Sequence, residues 1–91
     1  MSKRVVDSPE DWDAMKAALE KGAIAGDPNA QNALGGFYVQ ESLRLKDAAL
    51  LDAAEEWFHQ AAERGHEEAK RFLESAWSDT KAEYRAKISA R

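Results

Sequence analysis

Apolar residues recur every three or four positions along this chain, in four stretches separated by turn-forming residues. The first stretch holds Trp12, Met15, Leu19 and Ala23. Ser8-Pro9-Glu10-Asp11 precedes it: Ser8 can cap a helix, Pro9 suits its first position, and the two acids suit its first turn. Gly26 is a stop, and Asp27-Pro28 repeats the start signal. The second apolar face is Ala30, Ala33, Leu34, Phe37 and Tyr38. The pattern then weakens from Val39 to Lys46, which reads as a loop with some helical content. Asp47 can cap a third helix carrying Leu50, Leu51, Ala54, Trp57, Phe58, Ala61 and Ala62, and Gly65 ends it. A fourth begins near His66 and shows Ala69, Phe72, Leu73, Ala76, Trp77, Tyr84 and Ile88. No stretch alternates with the period of two that marks a strand. The pattern predicts an all-α fold of about four helices in one domain, 1–91. Its parts are a first capping helix over 8–25, a full unit over 27–65 and a long C-terminal helix over 66–90.

A shift of 39 residues lays the chain on itself. Gly26 falls on Gly65, Ala23 on Ala62, Ala30 on Ala69, Leu34 on Leu73 and Tyr38 on Trp77. Self-similarity with a period of roughly 20–50 residues marks a helical repeat array. The glycines can take the left-handed conformation that ends a helix, and the small alanines let helices cross closely. The Leu and aromatic positions fill the space between paired helices, with Trp57 the expected wedge.

"AQNALGGFY" and "AEEWFHQAAERGHEEAKRFL" resemble the Sel-one-like repeat, a relative of the tetratricopeptide repeat. The first-helix pattern of that family maps onto Ala30, Leu34-Gly35 and Tyr38. The second maps onto Ala54, Trp57-Phe58, Ala61-Ala62 and Gly65, and Ala69, Leu73 and Trp77 open the next unit. The likeness covers residues 23–77. It implies a short array of antiparallel helix-turn-helix repeats, an α-solenoid fragment. Two departures stand out. The connecting stretch "VQESLRLKDAALL" lacks the family's Gly-x-Gly turn and has roughly three extra residues. The family's second glycine is Glu74 in the last unit, which keeps that helix from equally close packing. With one full repeat between two half-units, the terminal helices are expected to act as caps, or the chain to self-associate.

Composition narrows the field. Apolar residues make up 44% of the chain, too many for a disordered one. There is no cysteine, which removes disulfides, thiolate chemistry and cysteine zinc sites. Net charge is −4, so nucleic acid is not an expected partner. The ends are more basic than the middle, with Lys3 and Arg4 at one and Lys81, Arg85, Lys87 and Arg91 at the other; cations near a helix C-terminus complement its dipole. No secretory signal follows Lys3-Arg4, and no stretch reaches the roughly 20 apolar residues of a membrane span. The expected location is the cytoplasm, with no membrane contact.

No residue set carries an enzyme signature. His59 and His66 are the only histidines. Glu55 and Glu63 flank His59 by one turn, which falls short of the three or four convergent groups a metal needs. His59 reads as a surface residue and His66 as a cap. Glu55/Glu56 and Glu67/Glu68 are adjacent on a helix, so each pair diverges. Ser42, Ser75 and Ser78 have no evident base, and Gly35-Gly36 lies inside a helix rather than in a phosphate loop. No catalytic residue, metal or cofactor is expected.

The resemblance implies a protein-binding scaffold that uses a groove lined by each repeat's first helix. The expected groove residues are Asn29, Asn32, Gly36, Val39 and Gln40, then Glu68, Arg71, Ser75, Ser78 and Asp79 on the last helix. Their amides suit a peptide backbone. Trp77, Tyr84 and Ile88 form a second candidate stripe, which either contacts a partner or folds back as a cap. The expected function is a small interaction module that binds one partner protein or peptide as adaptor, regulator or inhibitor. Size and acidity also suit an immunity or antitoxin protein that blocks a basic toxin. A self-associating scaffold, possible as a homodimer, is the remaining alternative.

Overall fold

Asp27 and His66 begin helices in the same way, and the residues before them end helices in the same way. The computed structural model describes residues 9–90. Among them it has five helices and no strand: α1 (Pro9–Ile24), α2 (Pro28–Leu45), α3 (Ala49–Glu63), α4 (Glu67–Ser75) and α5 (Trp77–Ser89). The predicted cap Ser8 and the basic residues Lys3, Arg4 and Arg91 lie outside the described residues.

Gly26 has φ +98° and Gly65 φ +94°, the left-handed region that glycine enters without steric cost. Gly26 N donates to Ala23 O at 3.0 Å, and Asp27 N to Gly22 O at 3.0 Å. Gly65 N donates to Ala62 O at 3.0 Å, and His66 N to Ala61 O at 3.0 Å. Each pair is a Schellman closure that satisfies the last carbonyls of a helix. The extended residue that follows then caps the next helix. The Asp27 carboxylate accepts from Asn29 N at 2.9 Å, and His66 Nδ1 accepts from Ala69 N at 3.1 Å. Every one of these partners except the two cap donors, Asn29 and Ala69, is related by the 39-residue shift to its counterpart.

The weak stretch from Val39 to Leu45 is helix throughout, and α2 runs to Leu45. Polar residues on its inner side hide the pattern. Glu41 is buried, and its carboxylate accepts from Trp12 Nε1 and Lys16 Nζ, both at 3.2 Å, and from Arg44 Nη2 at 3.3 Å. Three donors offset the cost of burying that charge and tie α1 to α2. The buried Ser42 hydroxyl donates to Val39 O at 2.6 Å. Lys46, with φ +53°, makes the third Schellman closure where a glycine would be easier. Asp47 then accepts from Ala49 N at 3.0 Å as α3 begins.

Five helices replace the expected four because the last one breaks at Ala76 (φ −125°, ψ −21°). In an unbroken helix Phe72 and Trp77 would face about 140° apart. The break turns both rings onto Phe58, with centroids 5.2 and 5.3 Å away and edge-on geometry.

The packed pairs are α1 with α2, α2 with α3, α3 with α4, and α5 with both α2 and α4. The result is a flat body of 40 × 37 × 22 Å. One core cluster lies under α1, with Ala23, Leu34 and Phe37 against Trp12, Leu19 and Trp57. The other holds Val39, Leu51, Ala54, Phe58 and Trp77. Phe58 is the buried wedge between helices; the neighbouring Trp57, expected in that role, is only half-buried and faces the first cluster. A Cβ at Gly35 would sit 2.7 Å from the Phe58 ring, so that glycine sets the distance between α2 and α3.

Candidate functional site

Residues 28–40 contain no charged side chain, in a chain that is 33% charged. Asn29, Ala33 and Gln40 are exposed along one stripe of α2, with Gly36 half-buried between them and Asn32 half-buried beside them. A side chain at Gly36 would enter open space. This stripe is polar but neutral, and its side chains are short.

A concave feature lies between α3, α4 and α5. This cleft of about 470 Å³ is lined by Glu55 and His59 of α3, Leu73 of α4, and Trp77, Ser78, Lys81, Ala82 and Arg85 of α5. Lys81 holds it shut on one side: its Nζ lies 2.6 Å from Glu55 Oε1 and 2.9 Å from Asp52 Oδ1. Those two carboxylates raise the Lys81 ammonium above its usual pKa, and hydrogen bonding to it holds Glu55 and Asp52 below theirs. The Trp77 indole N–H adds to the Glu55 shift from nearby, without meeting the geometry of a hydrogen bond; the distances make Lys81 the decisive partner. Arg85 approaches Asp52 Oδ1 only to 3.7 Å, and His59 Nε2 approaches Glu55 Oε2 only to 3.6 Å. These are ion-pair distances, too long for hydrogen bonds.

The expected binding residues divide into several groups. Asn29 and Gln40 are exposed and Asn32 half-buried on α2. Val39 is buried in the second core cluster, facing inward because α5 packs on that side of α2. Glu68, Arg71 and Ser75 are exposed on α4, where the Ser75 hydroxyl donates to Arg71 O at 2.7 Å. Ser78 and Asp79 are exposed in the first turn of α5. Tyr84 and Ile88 are half-buried against the second core cluster, so the Trp77–Ile88 stripe folds back onto the body. Of the last-helix residues expected in the groove, Glu68, Arg71 and Ser75 are on α4, which packs on α3, and Ser78 and Asp79 are on α5, which packs beside α2.

Lys81 and Arg85, a basic helix end by sequence, face the carboxylates of α3 in the structure. The signal for the cleft was present: Asp52 and Glu55 lie one turn apart on one helix, and Lys81 and Arg85 one turn apart on another. Among the described residues no three His, Asp or Glu side chains converge as metal ligands, and no helix is long and apolar enough to cross a membrane. No family model, curated protein or solved structure matches the chain.

Proposed function

We propose that this chain is a non-enzymatic interaction module, a short α-solenoid of the Sel-one-like kind, that binds one partner protein through the exposed face of α2. The observation that carries this reading is the neutral stripe Asn29, Asn32, Ala33, Gly36 and Gln40. Covering such a surface dehydrates no ionised group, and interface centres are depleted of charge for that reason. Its amides offer donors and acceptors to a partner's backbone. The glycine junctions at Gly26 and Gly65 support the repeat reading, since their closing hydrogen bonds match at a 39-residue shift. The partner is held as by an adaptor, regulator or inhibitor.

Affinity capture from the native lysate, with light scattering on the purified chain, tests this reading. Gln40→Lys places a charge in the stripe and is expected to abolish capture of the dominant partner. A dimer mass without a partner would put self-association in place of the proposal.

A further inference from the structure

The cleft between α3, α4 and α5 is separate from the α2 stripe, and its chemistry differs. We propose that it is a binding site for a small monocarboxylic acid with an apolar body. Its apolar lining is Leu73, Ala82 and the buried Trp77. Its size lies within the range of small-molecule sites, about 300–1,000 Å³. Both carboxylates at its edge are already engaged by Lys81, at 2.6 and 2.9 Å. The donors are not. Among the described residues Arg85 donates no hydrogen bond, and its closest carboxylate oxygen is 3.7 Å away. A carboxylate at the mouth can be gripped by the Arg85 guanidinium with two parallel N–H donors. The apolar body lies on Leu73 and the edge of Trp77. A cation would compete with Lys81 for the two carboxylates it bridges, and a neutral alcohol would leave the N–H donors of Arg85 without an acceptor.

The test titrates the full chain with 3-phenylpropionate and follows backbone and indole N–H resonances. The matched probes are 3-phenylpropanol and 3-phenylpropylamine. Saturable shifts are expected at Trp77, Ser78, Lys81 and Arg85. The alcohol should bind about tenfold more weakly, the worth of one charge-assisted pair. Arg85→Gln should bring the acid down to the level of the alcohol, and this substitution is tolerated because the side chain is 54% exposed. Lys70→Gln, exposed on α4, should leave the affinity unchanged. Raising the salt concentration should weaken the acid and not the alcohol. Equal binding of acid and alcohol, tighter binding of the amine, or no loss in Arg85→Gln would overturn the proposal. So would tighter binding of a blocked Phe-Glu peptide than of the free acid. None of these outcomes bears on the α2 stripe, so the two proposals fail separately.

Discussion

Residues 22–38 and 61–77 begin alike and end differently. Both pass through a glycine of positive φ, a Schellman closure and an extended N-cap. From there α2 continues to Leu45, while α4 stops at Ser75. The shift places Glu74 where α2 has Gly35, and Ala76 where α2 has Phe37. Gly35 is pressed against the Phe58 ring, and Phe37 stacks on Trp12 at 4.3 Å. Glu74 is exposed, and Ala76 has no ring to offer. The junction is thus local chemistry, fixed by a glycine and a cap. Helix length is decided by what the next two turns can touch. With α1 on one side and α3 on the other, α2 is held along its length; α4 packs chiefly on α3, and the break after it lets Trp77 reach the core.

The sharpest break of this comparison is at the ring that α2 and α4 share. Phe58→Ala should cost about 3–5 kcal/mol, read by urea unfolding, because it empties a site lined by Gly35, Phe72 and Trp77. Trp57→Ala, half-buried at the first cluster, should cost less, about 1–3 kcal/mol. A larger loss at Trp57 would reverse the assignment of the wedge.

The adjacent glycines of α2 should respond with opposite signs. Gly35→Ala drives a methyl into the Phe58 ring and should destabilise by about 1–3 kcal/mol. Gly36→Ala enters open space and should stabilise by about 0.5–1 kcal/mol through helix propensity alone. Thermal melts of the two variants, run together, read the difference directly.

The three Schellman closures form a smaller series. Gly65→Val should cost more than about 1 kcal/mol, because a branched side chain resists positive φ even in the open space around it. Lys46→Gly should gain up to about 1 kcal/mol at the same kind of position. A loss at Lys46 would mean that its side chain does more for the fold than its backbone costs.

The smallest effect is electrostatic. Lys81 lowers the pKa of Glu55 and Asp52, from ordinary values of 4.5 and 3.8. Groups with depressed folded values contribute stability above their unfolded pKa and lose it as pH falls through the folded one. Wild type should therefore lose slightly more stability on acidification below about pH 4.5 than Lys81→Gln does. The difference is small because water screens an exposed pair.

Much of this was legible in the chain. Gly26, Gly65, Asp27 and His66 sit at the helix boundaries their chemistry indicates, since caps depend only on neighbouring residues. The stretch from Val39 to Leu45 was not legible as helix. Glu41 and Ser42 are polar yet buried, and only the donors Trp12 and Lys16, far away in sequence, make that burial tolerable. The break at Ala76 carries no Gly or Pro and arises from the positions of three rings. The cleft depends on the same break, because it sets the angle at which Lys81 and Arg85 meet α3.

The central claim is that the neutral face of α2 is a contact surface. Quantitative capture from native lysate by three chains tests it most directly: wild type, Gly36→Arg and the control Glu63→Arg at the exposed end of α3. Gly36→Arg places a large cation in space the fold leaves open. One dominant partner should be retained by wild type and the control and lost by Gly36→Arg, with unchanged folding in all three. The same partner held equally by Gly36→Arg would contradict the account.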